Sequence, residues 1–283
     1  MKAGFVGLGH IGRGMAQALV ESGLDTAVYD LFPEGPAELA AMGATAAQSP
    51  ADVALHSEVM GVCVRSDQDV LDVFEGANGI LAAGRPGLLV AVHSTVRPST
   101  VHRVAEMAAA KGVRVVDAPV SRGAPNAEGK SIVYMLGGSE QDIADVRAFV
   151  ATAAKQIIVA GSLGAAMALK ACNNLVTYLE FLAAVEADRL ARRTGLDPAL
   201  LLEVMIANGN ATPSMQALMK NRFGMSGAPD DPMRQAFERS TVIAEKDLDC
   251  ALEAAAEVGL DLPGAKLVRG RMRDVYLGSV DGN

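Results

Sequence analysis

Cysteine is scarce in this chain. Cys63, Cys172 and Cys250 lie far apart, are odd in number and fall in no metal-ligand spacing. That argues against a disulfide framework and fits a reducing cytoplasm. Histidine is equally sparse: His10, His56, His93 and His102 form no cluster, so no metal is expected. Basic charge is in deficit too. With 25 Lys and Arg against 33 Asp and Glu, the net charge is -8, the wrong sign for counterion-driven binding to nucleic acid. Long hydrophobic runs are missing, because charge interrupts the apolar stretches before the ~20 residues that a membrane span needs. Met1-Lys2 leads directly into an apolar segment, without a leader-like core or cleavage site. A cytoplasmic protein with no membrane partner is therefore expected.

The chain does have length and apolar content. Its 283 residues, half of them hydrophobic, suit two domains with sizeable cores. The first thirty residues carry the strongest signal. Ala3-Gly4-Phe5-Val6 reads as a strand, Gly7-Leu8-Gly9-His10-Ile11-Gly12 as a glycine turn, the Ala-rich stretch after it as a helix, and Thr26-Ala27-Val28-Tyr29-Asp30 as a second strand ending on an acid. A lone G-x-G-x-x-G is weak, but a strand before it, a helix after it and an acid ~20 residues on make it specific for a dinucleotide. Gly7 permits the tight turn, Gly9 lets backbone approach a pyrophosphate, and Gly12 lets helix and strand pack closely. The phosphates then sit at a helix N-terminus, where free N–H groups and the dipole favour an anion. Asp30 suits both adenine-ribose hydroxyls and repels a 2′-phosphate, which predicts NAD over NADP. Its plainer role is that of a solvated acid closing a strand. Arg13 and Arg65 lie near enough in sequence to temper the preference.

Further strand-like runs follow at Val59–Val64, Leu88–Val92, Val113–Val116, Ile132–Leu136 and Ile157–Val159, with helical stretches between most of them. This alternation predicts an α/β fold with a doubly wound, parallel Rossmann sheet. The alternation stops at Gly161. From Ala165 to Arg193 the sequence reads as one helix of ~43 Å, too long for an ordinary crossover. Gly195 stops it and Asp197 before Pro198 starts another helix. Apart from a loop from Gly224 to Pro232, the remainder is helical. The predicted organisation is a dinucleotide domain at 1–161 and an all-helical domain at 162–283, with the cleft between them as the default substrate site.

Lys170 and Asn174 are four residues apart on that long helix, hence on one face about a turn apart. Ala, Met and Leu surround them. A partly desolvated lysine has its pKa lowered toward neutrality, as a general acid/base requires. A surface lysine whose stem covers the helix is the plainer reading, and the face alone favours it. Asn173 competes with Asn174 as the polar contact. The segment 117–129, Asp117-Ala118-Pro119-Val120-Ser121-Arg122-Gly123 and onward, is too rich in Gly and Pro for regular structure and reads as a loop where ligands bind. In it Ser121 offers a hydroxyl, Gly123 an unobstructed N–H, and Arg122 a forked guanidinium for a carboxylate or sulfonate. His93-Ser94-Thr95 presents Ser94 or Thr95 to the nicotinamide, or else caps the helix from Ser99.

Taken in order, these segments resemble the β-hydroxyacid dehydrogenase family, which includes 3-hydroxyisobutyrate and tartronate semialdehyde enzymes. The resemblance covers nearly the whole length through the glycine turn with Met15-Ala16, Asp117 to Ser121, Gly161 to Asn174, and Lys246-Asp247-Leu248. It implies that Lys170 is the catalytic lysine, Asn174 orients the substrate, Ser121 and Gly123 hold its carboxylate, Thr95 lies near the nicotinamide and Lys246 closes over the cofactor. Gly7, Leu8, Gly9, His10, Ile11, Gly12, Asp30, Val64 and Arg65 complete the expected cofactor site. The C-terminal domain is expected to be of the 6-phosphogluconate dehydrogenase-like type, within a homodimer or homotetramer.

Two departures bear on substrate. Family members commonly have Ser-Gly-Gly where this chain has Ser121-Arg122-Gly123, an arrangement that resembles a subgroup acting on sulfolactaldehyde or 4-hydroxybutyrate-like molecules. Many also carry an aromatic residue seven positions before the last lysine. Here that position is Arg239, with Phe237 two residues earlier. Either a small loop shift restores Phe237 to the pocket, or Arg239 supplies a second cation for the substrate. The expected activity is NAD-dependent interconversion of a small anionic hydroxy acid and its aldehyde or keto form. The alternatives are an imine reductase, whose members usually have an acid or tyrosine in place of Lys170, and a non-catalytic cofactor-binding assembly module.

Overall fold

Runs of four to six apolar residues, separated by capped helices, build the N-terminal half. The computed structural model describes residues 1–122, 130–225, 228 and 230–278. In chain order it contains β1 (Lys2–Val6), α1 (His10–Glu21), β2 (Asp25–Tyr29), α2 (Glu34–Ala41), β3 (Thr45–Ala46), α3 (Pro50–His56), β4 (Val59–Val62), α4 (Asp67–Glu75), β5 (Leu89–Val92), α5 (Pro98–Ala109), β6 (Arg114–Asp117), β7 (Val120–Arg122), β8 (Ile132–Gly137), α6 (Glu140–Ala151) and β9 (Ala154–Gly161). Helices α3, α4 and α6 start where Ser49, Ser66 and Ser139 accept hydrogen bonds from backbone N–H groups three residues on, satisfying donors that a helix start leaves open.

The strands form one sheet in the order β3-β2-β1-β4-β5-β6-β8-β7, with β9 paired to β8. Strands β1 to β6 run parallel to one another. Alternate residues of a strand point to opposite faces, so both faces carry a core. Phe5, Leu89 and Ala91 join Met15, Leu19, Leu136 and Phe149 on one side, while Val6, Val90 and Val92 join Val53, Phe74, Val101 and Val104 on the other. That is the doubly wound arrangement expected from the alternation.

One part of the sheet departs from that expectation. β8 is antiparallel to both β6 and β7, and Val120–Arg122 is a strand although its Gly- and Pro-rich surroundings read as irregular. Its pairing with Ile132 to Tyr134 supplies backbone partners that local composition does not reveal, a case of tertiary pairing overriding propensity.

The remaining elements are helical: α7 (Ala165–Arg193), α8 (Pro198–Ala207), α9 (Pro213–Gly224), α10 (Pro232–Glu257), α11 (Pro263–Arg269) and α12 (Met272–Leu277). The chain divides into two compact units, Met1–Lys170 and Ala171–Asn283. This division falls inside α7, whereas the sequence places a boundary at Gly161, where β9 ends. The core of the second unit gathers Tyr178, Phe181, Leu182, Val185, Met219, Phe237, Leu248, Val268 and Tyr276. Among the described residues, no helix is long and apolar enough to cross a membrane.

Candidate active site

The glycine turn connects β1 to α1 as its spacing predicts, and each glycine has a distinct steric reason. Gly7 adopts φ +92, and a Cβ there would strike the Cys63 carbonyl. A Cβ on Gly12 would strike the Gly7 carbonyl and press on Phe5, so the helix could not lie this close to β1. Gly9 has nothing within 4 Å of its missing Cβ, leaving its outer face open for close approach. It also caps α1 without a side-chain hydrogen bond, and no acid stands in the first turn. The helix N-terminus therefore keeps free N–H groups and an unneutralised dipole, the features that receive a phosphate.

A groove of about 630 Å³ adjoins the turn, lined among others by Gly7, Leu8, Gly9, Asp30, Val64 and Arg65. Asp30 at the end of β2 also holds the turn: Leu8 N donates to Oδ2 at 2.6 Å and Phe32 N to Oδ1 at 2.9 Å. Each carboxylate oxygen keeps another lone pair for a hydroxyl. Ile11 and His10 are exposed on the first turn of α1. Ser94 is committed elsewhere, since its Oγ accepts from Val64 N at 2.8 Å, and Thr95 beside it is half-buried. The cap of α5 comes from Asp67, which accepts from Arg97 N and Thr100 Oγ1.

On α7, Lys170 is only 8% exposed and Asn174 5%. They continue a stripe of buried positions, Met167, Ala171, Tyr178, Phe181, Leu182 and Val185, at the spacing of one helix face. Burial removes the surface-lysine reading that the face alone favoured. Asn173 is exposed and its carbonyl accepts from Thr177 Oγ1, so Asn174 is the buried amide of the two.

The start of this helix is held from the sheet. Asp117, fully buried at the end of β6, accepts from Gly164 N through Oδ1 and from Met167 N through Oδ2, both at 2.9 Å. It thus acts as an N-cap supplied from almost fifty residues earlier, and its charge opposes the positive helix end. Burial nevertheless raises its pKa against these backbone hydrogen bonds. A Cβ at Gly137 would collide with Asp117 Oδ1, which explains a glycine at the end of the otherwise apolar β8. Asp117 belongs to the segment that the resemblance assigns to substrate, but its carboxylate is spent on α7, whose fourth helical residue after Ala166 is Lys170.

Arg122, exposed at the end of β7, places Nη1 2.9 Å from His10 Nε2. A guanidinium only donates, so Nε2 is the acceptor in this contact. The pair joins residues separated by 112 positions. Ser121 is half-buried and registers against Val133. Gly123 lies outside the described residues.

Within the second unit, Asp247 gathers three polar groups. Asn174 Nδ2 donates to Oδ2 at 2.9 Å, Tyr178 Oη donates to the same oxygen at 3.1 Å, and Lys246 Nζ stands 3.0 Å from Oδ1 as an ion pair. Burial, followed by the Asp247 charge, raises the Tyr178 pKa, keeping the phenol a donor. The sequence motif contained Asp247 but gave it no role; its hydrogen-bond partners Asn174 and Tyr178 lie 73 and 69 positions away, so no local signal marks it. α10 is continuous from Pro232 to Glu257, so Phe237 lies within a helix and not in a loop. That residue packs in the core against Tyr276 at 5.5 Å. Nine positions before Lys246, it faces the opposite side of the helix, whereas Arg239, seven positions before, shares the Lys246 face. Arg239 is exposed.

A Rossmann unit with an open glycine turn, followed by a helical unit whose first helix carries a buried lysine and asparagine, defines a nicotinamide-dinucleotide oxidoreductase. Residues 2–161 match the NAD binding domain of 6-phosphogluconate dehydrogenase, and residues 164–280 match the NAD-binding domain of NADP-dependent 3-hydroxyisobutyrate dehydrogenase. The chain belongs to the β-hydroxyacid dehydrogenase family. An uncharacterised oxidoreductase of Mycobacterium tuberculosis is 34% identical over 271 residues, covering 96% of this chain and 92% of that protein. Mitochondrial 3-hydroxyisobutyrate dehydrogenase of Rattus norvegicus is 31% identical over 252 residues, 89% of this chain and 75% of the rat protein. Among solved structures, 3-hydroxyisobutyrate dehydrogenase of M. tuberculosis with L-serine superposes with a TM-score of 0.79 at 27% identity, covering 96% of this chain and 92% of that one.

Proposed function

We propose that this enzyme uses NAD to interconvert a small hydroxy acid and its aldehyde or keto form, with Lys170 as general acid/base. The observation that carries the reading is the burial of Lys170 and Asn174 on adjacent turns of one face of α7. Neither an exposed structural lysine nor a bare cofactor-binding module calls for that placement.

The cofactor fits the residues present. Gly9 leaves its outer face clear, the α1 N-terminus is uncapped, and the adjoining groove runs from the turn to Asp30. Its lining includes Asp30, Glu34, Glu38, Asp69 and Asp72 against Arg13 and Arg65. Both arginines already face acids: Arg13 pairs with Glu38 at 2.5 Å, and Arg65 lies 3.8 Å from Asp69. That balance disfavours a 2′-phosphate and supports NAD over NADP. When bound, the nicotinamide exchanges a hydride with the substrate carbon.

Lys170 moves the proton on the reacting oxygen, accepting it in oxidation and returning it in reduction. Asn174 spends one amide hydrogen on Asp247 and keeps the other, with its carbonyl oxygen, to orient the substrate. Ser121 and Gly123 are assigned to the substrate carboxylate. Arg122 has N–H groups beyond the one on His10 for an anionic end, and Arg239 is a second cation on the Lys246 side of α10. Thr95 is placed beside the nicotinamide and Lys246 over the cofactor. The substrate in this reading carries a carboxylate and a bulky or second anionic group. Three free cysteines suit a reducing cytoplasm. A homodimer or homotetramer accounts for the apolar side chains that α8 leaves exposed.

NADH formation over a panel of hydroxy acids, including sulfonated, dicarboxylic and 4-hydroxy members, tests the reading in wild type, Lys170→Ala and Arg122→Gly. Lys170→Ala should lose about 10²- to 10⁴-fold in kcat while still binding NAD in a titration; wild-type turnover in that variant sinks the lysine's role. Arg122→Gly should reorder the panel, and an unchanged order removes Arg122 from substrate recognition. Turnover of cyclic imines but of no hydroxy acid would replace the reaction itself.

A further inference from the structure

We propose that Glu38 is a determinant of cofactor choice, holding Arg13 in an ion pair so that this guanidinium does not serve a 2′-phosphate. The inference rests on the NAD reading above. Arg13 is the residue directly after Gly12, on the second turn of α1. Glu38 comes from α2. Arg13 Nη2 and Glu38 Oε2 are 2.5 Å apart, and both side chains are about half exposed, at 50% and 49%. Both line the same groove as Asp30.

A guanidinium is the side chain best suited to a phosphate monoester, because its N–H fork matches two phosphate oxygens. Arg13 is therefore one of two arginines in this groove with the chemistry to accept NADP. Glu38 opposes that in two ways. It engages the fork, and it sets a second carboxylate on the side of the groove where Asp30 already stands, raising the cost of bringing in a dianion. Selectivity built from an unfavourable charge is a general device for rejecting a near-identical ligand.

The other arginine in the groove is held less closely. Arg65 is 82% exposed and its Nε lies 3.8 Å from Asp69 Oδ2. Asp69 also completes the capping box of α4 with Ser66, so replacing it disturbs a helix as well as a charge. Glu38 makes no such capping bond in α2, whose N-cap, Pro33, has no side-chain hydrogen bond. Exposed ion pairs contribute little to stability, so a Glu38 variant should fold.

The test measures Kd for NAD and NADP by calorimetric titration, alongside kcat/KM for each, in wild type, Glu38→Gln and the Arg13→Ala/Glu38→Gln double variant. Glu38→Gln should shift the NADP-to-NAD ratio of both quantities toward NADP by about tenfold or more, a factor typical of one recruited charge pair. The double variant should lose that gain. An unchanged ratio in Glu38→Gln overturns the proposal, and so does a gain that survives removal of Arg13. A wild type that already prefers NADP overturns the NAD reading instead, because the proposal concerns only the change from wild type to variant.

Discussion

The side-chain amide nitrogen of Asn174 donates to Asp247 Oδ2 across 73 positions of sequence. Since a carboxylate only accepts, this contact fixes which end of the amide faces Asp247. Tyr178 shares the same oxygen and Lys246 attends the other. Asp247→Ala should leave a buried N–H and a buried O–H unpaired, costing about 3 kcal/mol, and should lower kcat/KM at least about tenfold as Asn174 loses its orientation. Tyr178→Phe removes one donor and should cost about 1 kcal/mol, with kcat/KM nearly retained. Thermal unfolding and steady-state assays of both variants check the contrast. Equal losses of activity would mean that Asp247 acts only through stability.

Asp117→Asn offers the α7 N-terminus one good acceptor in place of two and turns an amide N–H toward a backbone N–H. A stability loss of about 2 kcal/mol is expected from the lost cap and the unsatisfied donor. In the folded fraction kcat should fall while KM for the dinucleotide holds, because the glycine turn is built by other residues. A matching loss of dinucleotide affinity would contradict a role confined to the Lys170 helix.

His93 is sandwiched between Phe5 at 5.7 Å and Phe149 at 6.3 Å, nearly parallel to both, and contacts Tyr134 edge-on. Its Nδ1 donates to the Ala118 carbonyl at 2.9 Å, and Nε2 is buried with no hydrogen-bond partner among the described residues. Burial lowers its pKa to about 4, against the raising effect of the Ala118 bond. The unfolded chain therefore binds more protons than the folded one between about pH 4 and 6.5, so stability falls as pH drops through that window. The loss from this one group between pH 7 and 4.5 is about 2 kcal/mol. Urea unfolding at the two pH values should show a smaller decline in His93→Leu than in wild type. Identical declines would remove His93 as a source of acid sensitivity.

α8 has an almost wholly apolar sequence yet no buried residue. Leu200 and Val204, one turn apart, are 55% and 56% exposed. A second copy of the chain is the proposed cover. Light scattering on the wild type should give a dimer or tetramer, and Leu200→Asp/Val204→Lys should shift it toward monomer. A monomeric wild type would contradict the assembly.

The dinucleotide turn, the alternation of the first unit and the extent of α7 from Ala165 to Arg193 were legible in the sequence because their causes are local. A tight turn needs Gly7, a close helix needs Gly12, and helix limits follow from periodicity and nearby stop residues. The family followed from the order of such segments. Where a side chain spends its hydrogen bonds was not legible in this way. Lys170 reads as a surface charge until the fold buries it, and Asp117 reads as a substrate-loop acid until Gly164 and Met167 turn their N–H groups toward it. Of the two alternatives left open at Phe237 and Arg239, the one that returned Phe237 to a pocket gives way once α10 packs it into the core against Tyr276, and the Val120–Arg122 strand exists because β8 lies beside it. Burial and hydrogen-bond partnership arise from groups tens of positions apart, and folding is what brings those groups together. Local pattern gave this chain its dinucleotide turn and the long helix α7; long-range contact gave Lys170, Asn174 and Asp247 their surroundings.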